Sequence, residues 1–182
     1  MPCNICQDRK VIEKEDGTTR PCVCTIQEKL KECLGEFSDA TLNRKLKYDK
    51  LHRNMYLKNM ELSRFQDLAK TYLTHRILRT QDFETEFVNV MGSDITEAQF
   101  NNHDEYTFTM FKGIEILFLR LGKDYQHKST KEWVQYIINL RAERKDLITW
   151  VYTYPNTTDD DLTTLYGDNI LDILKNNFPV VR

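Results

Sequence analysis

No run of apolar residues in this chain approaches the roughly 20 needed to cross a bilayer, and the N-terminus opens with Met-Pro-Cys-Asn where a signal peptide would need an apolar stretch. Those absences argue against a membrane-spanning or exported protein, and the cytoplasm is the expected compartment. Glycine and proline are scarce, 6 and 4 residues in 182, too few for a disordered or fibrous chain. An excess of either charge is also missing. The 26 Lys and Arg against 28 Asp and Glu leave a formal net charge of −2, so no global field would hold the chain on DNA or an acidic membrane, and such binding has to come from a local patch. What remains is an ordinary globular composition, 40% hydrophobic and 30% charged. The length suits one medium domain, or a small module joined to a domain of roughly 120 to 150 residues.

The five cysteines are unevenly placed. Cys3-x-x-Cys6 and Cys22-x-Cys24 form two close pairs, and in a reducing cytoplasm such pairs point to metal rather than to disulfides. Four thiolates satisfy tetrahedral zinc and leave no open position for water, so the expected ion is structural, not catalytic. Between the pairs, Val11 and Ile12 followed by Glu15-Asp16-Gly17-Thr18 read as a β-hairpin turning at Asp16-Gly17. A module this small cannot fold on buried apolar area alone, so the metal is expected to supply its folding energy, on the order of 10 kcal/mol. Cys33 is left over and reads as a small buried or half-buried apolar residue rather than a ligand.

Thr25 is placed to cap a helix through Ile26, Leu30 and Leu34 that Gly35 ends. This gives a zinc-binding module with its linker helix over 1–35 and a second domain over 36–182. Arg44, Lys45, Lys47, Lys50, His52 and Arg53 concentrate positive charge within ten residues. That segment is either a solvated linker face or a contact for nucleic acid or an acidic partner. Further on, strand-like runs at Asn54 to Leu57, Glu86 to Met91, Ile114 to Leu121 and Leu147 to Tyr152 alternate with helical patterns. Leu62, Phe65, Leu68, Ala69, Tyr72, Leu73 and Ile77 fall on one helical face. Trp133, Ile137, Ile138 and Leu140 line another helix, and Leu162, Leu165, Ile170, Leu171 and Leu174 suggest closing helices. The alternation predicts an α/β fold, a parallel sheet with helices on both sides.

The cysteine framework, then Phe37-Ser38-Asp39-Ala40-Thr41-Leu42, Asn54-Met55-Tyr56-Leu57 and the late Tyr166-Gly167-Asp168-Asn169-Ile170, resemble in this order the helicase loaders of the DnaC, DnaI and IstB type. These are AAA+ ATPases with paired cysteines ahead of the nucleotide domain. The resemblance implies a P-loop, G-x-x-x-x-G-K-[ST], after the first strand, where glycines let backbone N–H groups wrap the phosphates. The chain reads Lys58-Asn59-Met60-Glu61-Leu62-Ser63-Arg64-Phe65 there. Lys58 and Ser63 replace both glycines, Arg64 replaces the lysine, and Phe65 replaces the hydroxyl that would hold Mg²⁺. The strand expected to end in Mg²⁺-binding acids ends Leu119-Arg120-Leu121-Gly122, and Ile170 to Leu174 contains no arginine finger.

These departures make a pseudo-ATPase the expectation, with no ATP required and no enzymatic activity. The expected role is binding in DNA replication, with a replicative helicase or single-stranded DNA as partner and the zinc module and basic segment as contacts. Small size and decay suit a phage or mobile element, which would place the protein in a host cytoplasm. Two other readings stay open: an ATPase using an atypical site with Arg64 or Lys58 on phosphate, and a zinc-dependent adaptor or inhibitor of another host machine such as RNA polymerase. A plain α/β domain carrying an unrelated zinc module is the alternative to the family resemblance itself.

Overall fold

A computed structural model describes residues 3–42, 54–100, 105–122 and 130–181. Two compact units emerge, one made of Met1–Tyr48 and Gln66–Thr85, the other of Asp49–Phe65 and Glu86–Arg182. One long helix, Leu62–Thr80, contributes to both. The basic side chains Arg44, Lys45, Lys47, Lys50 and Arg53 lie outside the described residues.

In the first unit, β1 (Val11–Glu13) and β2 (Thr19–Pro21) pair antiparallel with Ile12 opposite Arg20. The loop is built on Gly17: its N–H donates to Lys14 O at 3.0 Å, Lys14 N–H donates to Thr18 O at 2.7 Å, and Gly17 takes φ +78°. This is the three-residue hairpin loop with a left-handed glycine, not the two-residue turn. Asp16 braces it by accepting from both the N–H and the hydroxyl of Thr18, which pulls its carboxyl below the usual range. Helix α1 (Val23–Leu34) follows at once. Thr25 does not cap it. The cap position belongs to Cys22, and the Thr25 hydroxyl donates to Lys10 O at 2.8 Å, fastening the helix start to the hairpin. The expected end holds, with Gly35 in the left-handed region at φ +48°.

Helix α2 (Leu62–Thr80) buries Phe65, Ala69, Tyr72, Leu73 and Ile77 as its spacing predicts, while Leu62 stays 38% exposed. Within the first unit, Lys70 Nζ donates to the carbonyls of Ser38 and Ala40, and Asp67 accepts from Thr41 N–H at 2.7 Å. The segment ahead of the basic residues is therefore tied to this helix.

The second unit is a five-stranded parallel sheet in the order β4-β5-β6-β3-β7, formed by β3 (Met55–Leu57), β4 (Phe87–Met91), β5 (Ile116–Leu121), β6 (Ile148–Thr153) and β7 (Val180–Val181). The predicted strands are all present within two residues at their ends. β7 lies beyond them, two residues paired to Tyr56 and Leu57. Alternation sorts the strands onto two faces. Tyr56, Leu117, Leu119, Leu121 and Val151 point to one core with α3 (Gly92–Phe100), α4 (Glu105–Gly113), α5 (Thr130–Glu143), α6 (Asp159–Tyr166) and α7 (Ile170–Asn177). Phe118, Trp150 and Tyr152 point to the other, where the Phe65 ring stacks on Tyr152 at 3.8 Å and meets Phe118 edge-on at 5.6 Å.

Helix α4 is not among the predicted elements, and it is held by a residue the apolar pattern passes over. Arg141 of α5 is fully buried, and its guanidinium donates to Phe111 O, Ile114 O, Ile148 O and Thr149 Oγ1 at 2.8–3.0 Å. Phe111 O belongs to the last turn of α4, where the helix dipole favours a cation. Burial pushes the guanidinium down to about 10, so it stays charged at neutral pH. Arg141→Met should lower the unfolding free energy by about 3–5 kcal/mol, because it leaves buried acceptors without donors. Arg141→Lys should recover only part of that, since an ammonium lacks the planar fork; urea denaturation of the full chain reads both.

Candidate functional site

The hairpin and the start of α1 bring Cys3, Cys6, Cys22 and Cys24 together, with their four sulfurs all within 4.8 Å of one another. After Cys6 the chain turns sharply: Gln7 N–H donates to Cys3 O at 2.8 Å, Arg9 N–H to Cys6 O at 2.9 Å, and Gln7, Asp8 and Lys10 take left-handed φ of 47°, 65° and 64°. Asp8 fixes the turn by accepting from Cys3 N–H at 2.9 Å. Cys22 N–H donates to Lys10 O at 2.9 Å, which aligns the second pair with the first.

The Cys3 and Cys22 sulfurs lie 3.8 Å apart and those of Cys6 and Cys24 3.5 Å apart. A tetrahedral ion with metal–sulfur bonds of about 2.3 Å sets its sulfurs about 3.8 Å apart, so the spacing fits a four-thiolate metal. A disulfide would need about 2.05 Å. Helix α1 supports the same charge, since it starts with no side-chain cap and no acid in its first turn. With a metal bound, Cys22 and Cys24 would supply the negative charge its N-terminus favours.

Backbone N–H groups of Cys6 and Ile5 bond the Cys3 sulfur and pull its thiol down to about 6. Lost solvation, then hydrogen bonds shared with Cys6, Cys22 and Cys3, push Cys24 up to about 12. Cys33 stands outside the cluster and donates to Phe83 O at 2.7 Å, as its lone position suggests.

The second position of interest lies at the C-terminal ends of the strands, where open α/β sheets bind ligands. Only Lys58, Asn59, Met60 and Glu61 separate β3 from α2. The first three of their backbone donors are committed inside the sheet. Lys58 N–H bonds Val181 O at 3.1 Å, Asn59 N–H bonds Thr153 Oγ1 at 2.9 Å, and Met60 N–H bonds Thr153 O at 2.8 Å. Asn59 holds a left-handed φ of 55°, and its side-chain amide reaches Thr157 O at 2.9 Å. Lys58 Nζ meets Asp159 Oδ1 at 2.6 Å, and Lys175 stands 4.0 Å from the other oxygen. Ser63 and Arg64 are exposed on the first turn of α2, while Phe65 is fully buried beneath the turn.

At the end of β5, the Arg120 guanidinium lies 4.7 Å over the Tyr154 ring and also bonds Met91 Sδ. The Tyr166-Gly167 segment has a structural task in this place. The Tyr166 hydroxyl donates to Gly122 O and accepts from Gly122 N–H, both at 3.1 Å, and a Cβ on Gly92 would lie 3.0 Å from its ring. The first turn of α6 is acidic, with Asp159, Asp160 and Asp161, and is capped reciprocally by Thr158 and Asp161.

Neither a family model nor a curated protein matches this sequence. Among solved structures, the chain has the fold of the DnaC helicase loader: the match to its crystal structure has a TM-score of 0.52 at 13% sequence identity, over 73% of this chain and 81% of that one. The fold is therefore DnaC-like, with a cysteine cluster able to hold a metal ion at its N-terminal end.

Metal binding should take up one ion per chain and displace thiol protons, that of Cys24 among them, so affinity should fall by at least roughly tenfold per pH unit on acidification. Cobalt(II) titration followed by the thiolate charge-transfer band measures this. Cys22→Ser should abolish the band and unfold the hairpin while the thermal transition of the sheet domain persists.

Proposed function

We propose that this chain is a non-catalytic, helicase-loader-like protein that acts by binding, with a structural zinc ion at Cys3, Cys6, Cys22 and Cys24. The observation that carries the reading is the β3–α2 turn. On a DnaC-like fold, the place of a phosphate loop is taken by four residues whose first three N–H groups are bonded to β6 and β7. A phosphate cradle needs several backbone N–H groups converging on open space. The Lys58–Asp159 pair supports the same conclusion, since it engages the one basic side chain of the turn. Arg64 alone supplies a charge without a cradle. The atypical-ATPase reading has no comparable support.

Zinc is favoured by the donor set, because four thiolates at tetrahedral spacing suit a soft ion with no open coordination site. The ion then orders a module that offers a partner Ile5, Val11 and Val23, which are 64%, 43% and 50% exposed. Three exposed apolar side chains on so small a module favour a protein contact over a purely electrostatic one. The partner proposed is a replicative helicase or another replication protein, with single-stranded DNA as a further contact through Arg44, Lys45, Lys47, Lys50 and Arg53. A phage or mobile-element origin and a cytoplasmic site of action belong to the same proposal.

Mixing the zinc-loaded chain with a replicative helicase should give a complex on size-exclusion chromatography without nucleotide. The Ile5→Asp, Val23→Asp variant, which retains its metal, should weaken that complex at least tenfold. Equal complex formation by the variant would remove the module from the interface. Strict dependence on ATP would overturn the nucleotide-independent reading.

A further inference from the structure

The turn and helix that gather the four sulfurs also sort them by access. Cys3 and Cys24 are half-buried and Cys6 and Cys22 are buried. Two contacts across the motifs join one of each kind, Cys24 to Cys6 at 3.5 Å and Cys3 to Cys22 at 3.8 Å. A reachable sulfur beside a shielded one is the arrangement in which a first cysteine is oxidised and a second resolves it. Little else holds the module together. From residue 7 to residue 21 no side chain is buried, and Ile12 alone is half-buried. Whatever removes the ion therefore acts on the whole module.

We propose that the tetrad is a peroxide-responsive metal-release site, in which oxidation links Cys24 to Cys6, and then Cys3 to Cys22, across the two motifs. The proposal rests on the metal-site reading above. In the first step a thiolate attacks hydrogen peroxide: the O–O bond breaks, an S–O bond forms, and hydroxide leaves, giving a sulfenic acid at Cys24. In the second, the Cys6 thiolate attacks that sulfur: the S–S bond forms, the S–O bond breaks, and a second hydroxide leaves. Two thiolates and one peroxide thus yield one disulfide and two hydroxides, with two electrons passing from sulfur to oxygen. Two of the four donors are then gone and the ion dissociates. Each cross-motif link closes the same hairpin loop that the metal closes, so reduction by a dithiol returns a module ready to reload.

The test uses the full, zinc-loaded chain and stepwise hydrogen peroxide. Released zinc is read with a chromogenic chelator, free thiols are counted, and disulfides are mapped by peptide mass spectrometry. The expected result is one zinc lost for about every two thiols oxidised, with Cys6–Cys24 and Cys3–Cys22 as the linked peptides. Dithiothreitol with added zinc should reverse the change, and Cys33→Ser should leave it unaltered. Links within a motif, Cys3 to Cys6 or Cys22 to Cys24, would overturn the proposal. So would sulfonic acids without disulfide, or loss of the Cys33 thiol while zinc stays bound. A chain that carries no zinc before peroxide is added would refute the metal assignment itself, a different failure from wrong links in a loaded protein.

Discussion

The turn from β3 into α2 is where the second unit is locked. Lys58 N–H reaches Val181 across β7, while Asn59 and Met60 bond the end of β6 through Thr153. β3 is only three residues long and lies between these two strands, so bonds that continue the ladder beyond it join three strands at their C-terminal ends. The same turn aims Phe65 under the sheet, against Tyr152 and Phe118. Its lysine reaches Asp159 on the first turn of α6. An exposed ion pair alone contributes about 0–1 kcal/mol, and the buried ring and the backbone bonds carry more. At the strand ends, where open α/β sheets bind ligands, three backbone N–H groups of this turn are bonded to β6 and β7.

The metal module depends on a different force. Its hairpin buries almost nothing, and the order of residues 3–24 comes from local hydrogen bonds and four converging sulfurs. A metal supplies to such a module what a core supplies to a larger domain. The sheet of the second unit is stabilised by packing, whereas the order of the hairpin would rest on the metal its four sulfurs can hold.

Much of this was legible in the residues. Cysteine spacing, the Asp16-Gly17 turn and the apolar runs of β5 and β6 are local signals, and the structure carries each into the expected element. The elements that were missed depend on tertiary context. Helix α4 contains the run Tyr-Thr-Phe-Thr-Met-Phe at 106–111, aromatic and β-branched as a strand would be; its helical state is secured by Arg141, which is distant in sequence and charged. Strand β7 has only two residues and no periodicity to detect. Thr25 has the residue type of a helix cap, yet α1 starts at Val23 with Cys22 at the cap position, and the Thr25 hydroxyl donates to Lys10 O. At the phosphate-loop position, sequence showed that the glycines were missing, but only the coordinates reveal where the N–H groups went.

The most direct measurement is isothermal titration of the zinc-loaded chain with Mg·ATP at neutral pH and low salt. With the turn donors already bonded inside the sheet, no heat of binding is expected up to about 1 mM nucleotide, a limit of roughly −4 kcal/mol. Saturable binding in the micromolar range would contradict the account, because it would require this turn to open and present its backbone to phosphate.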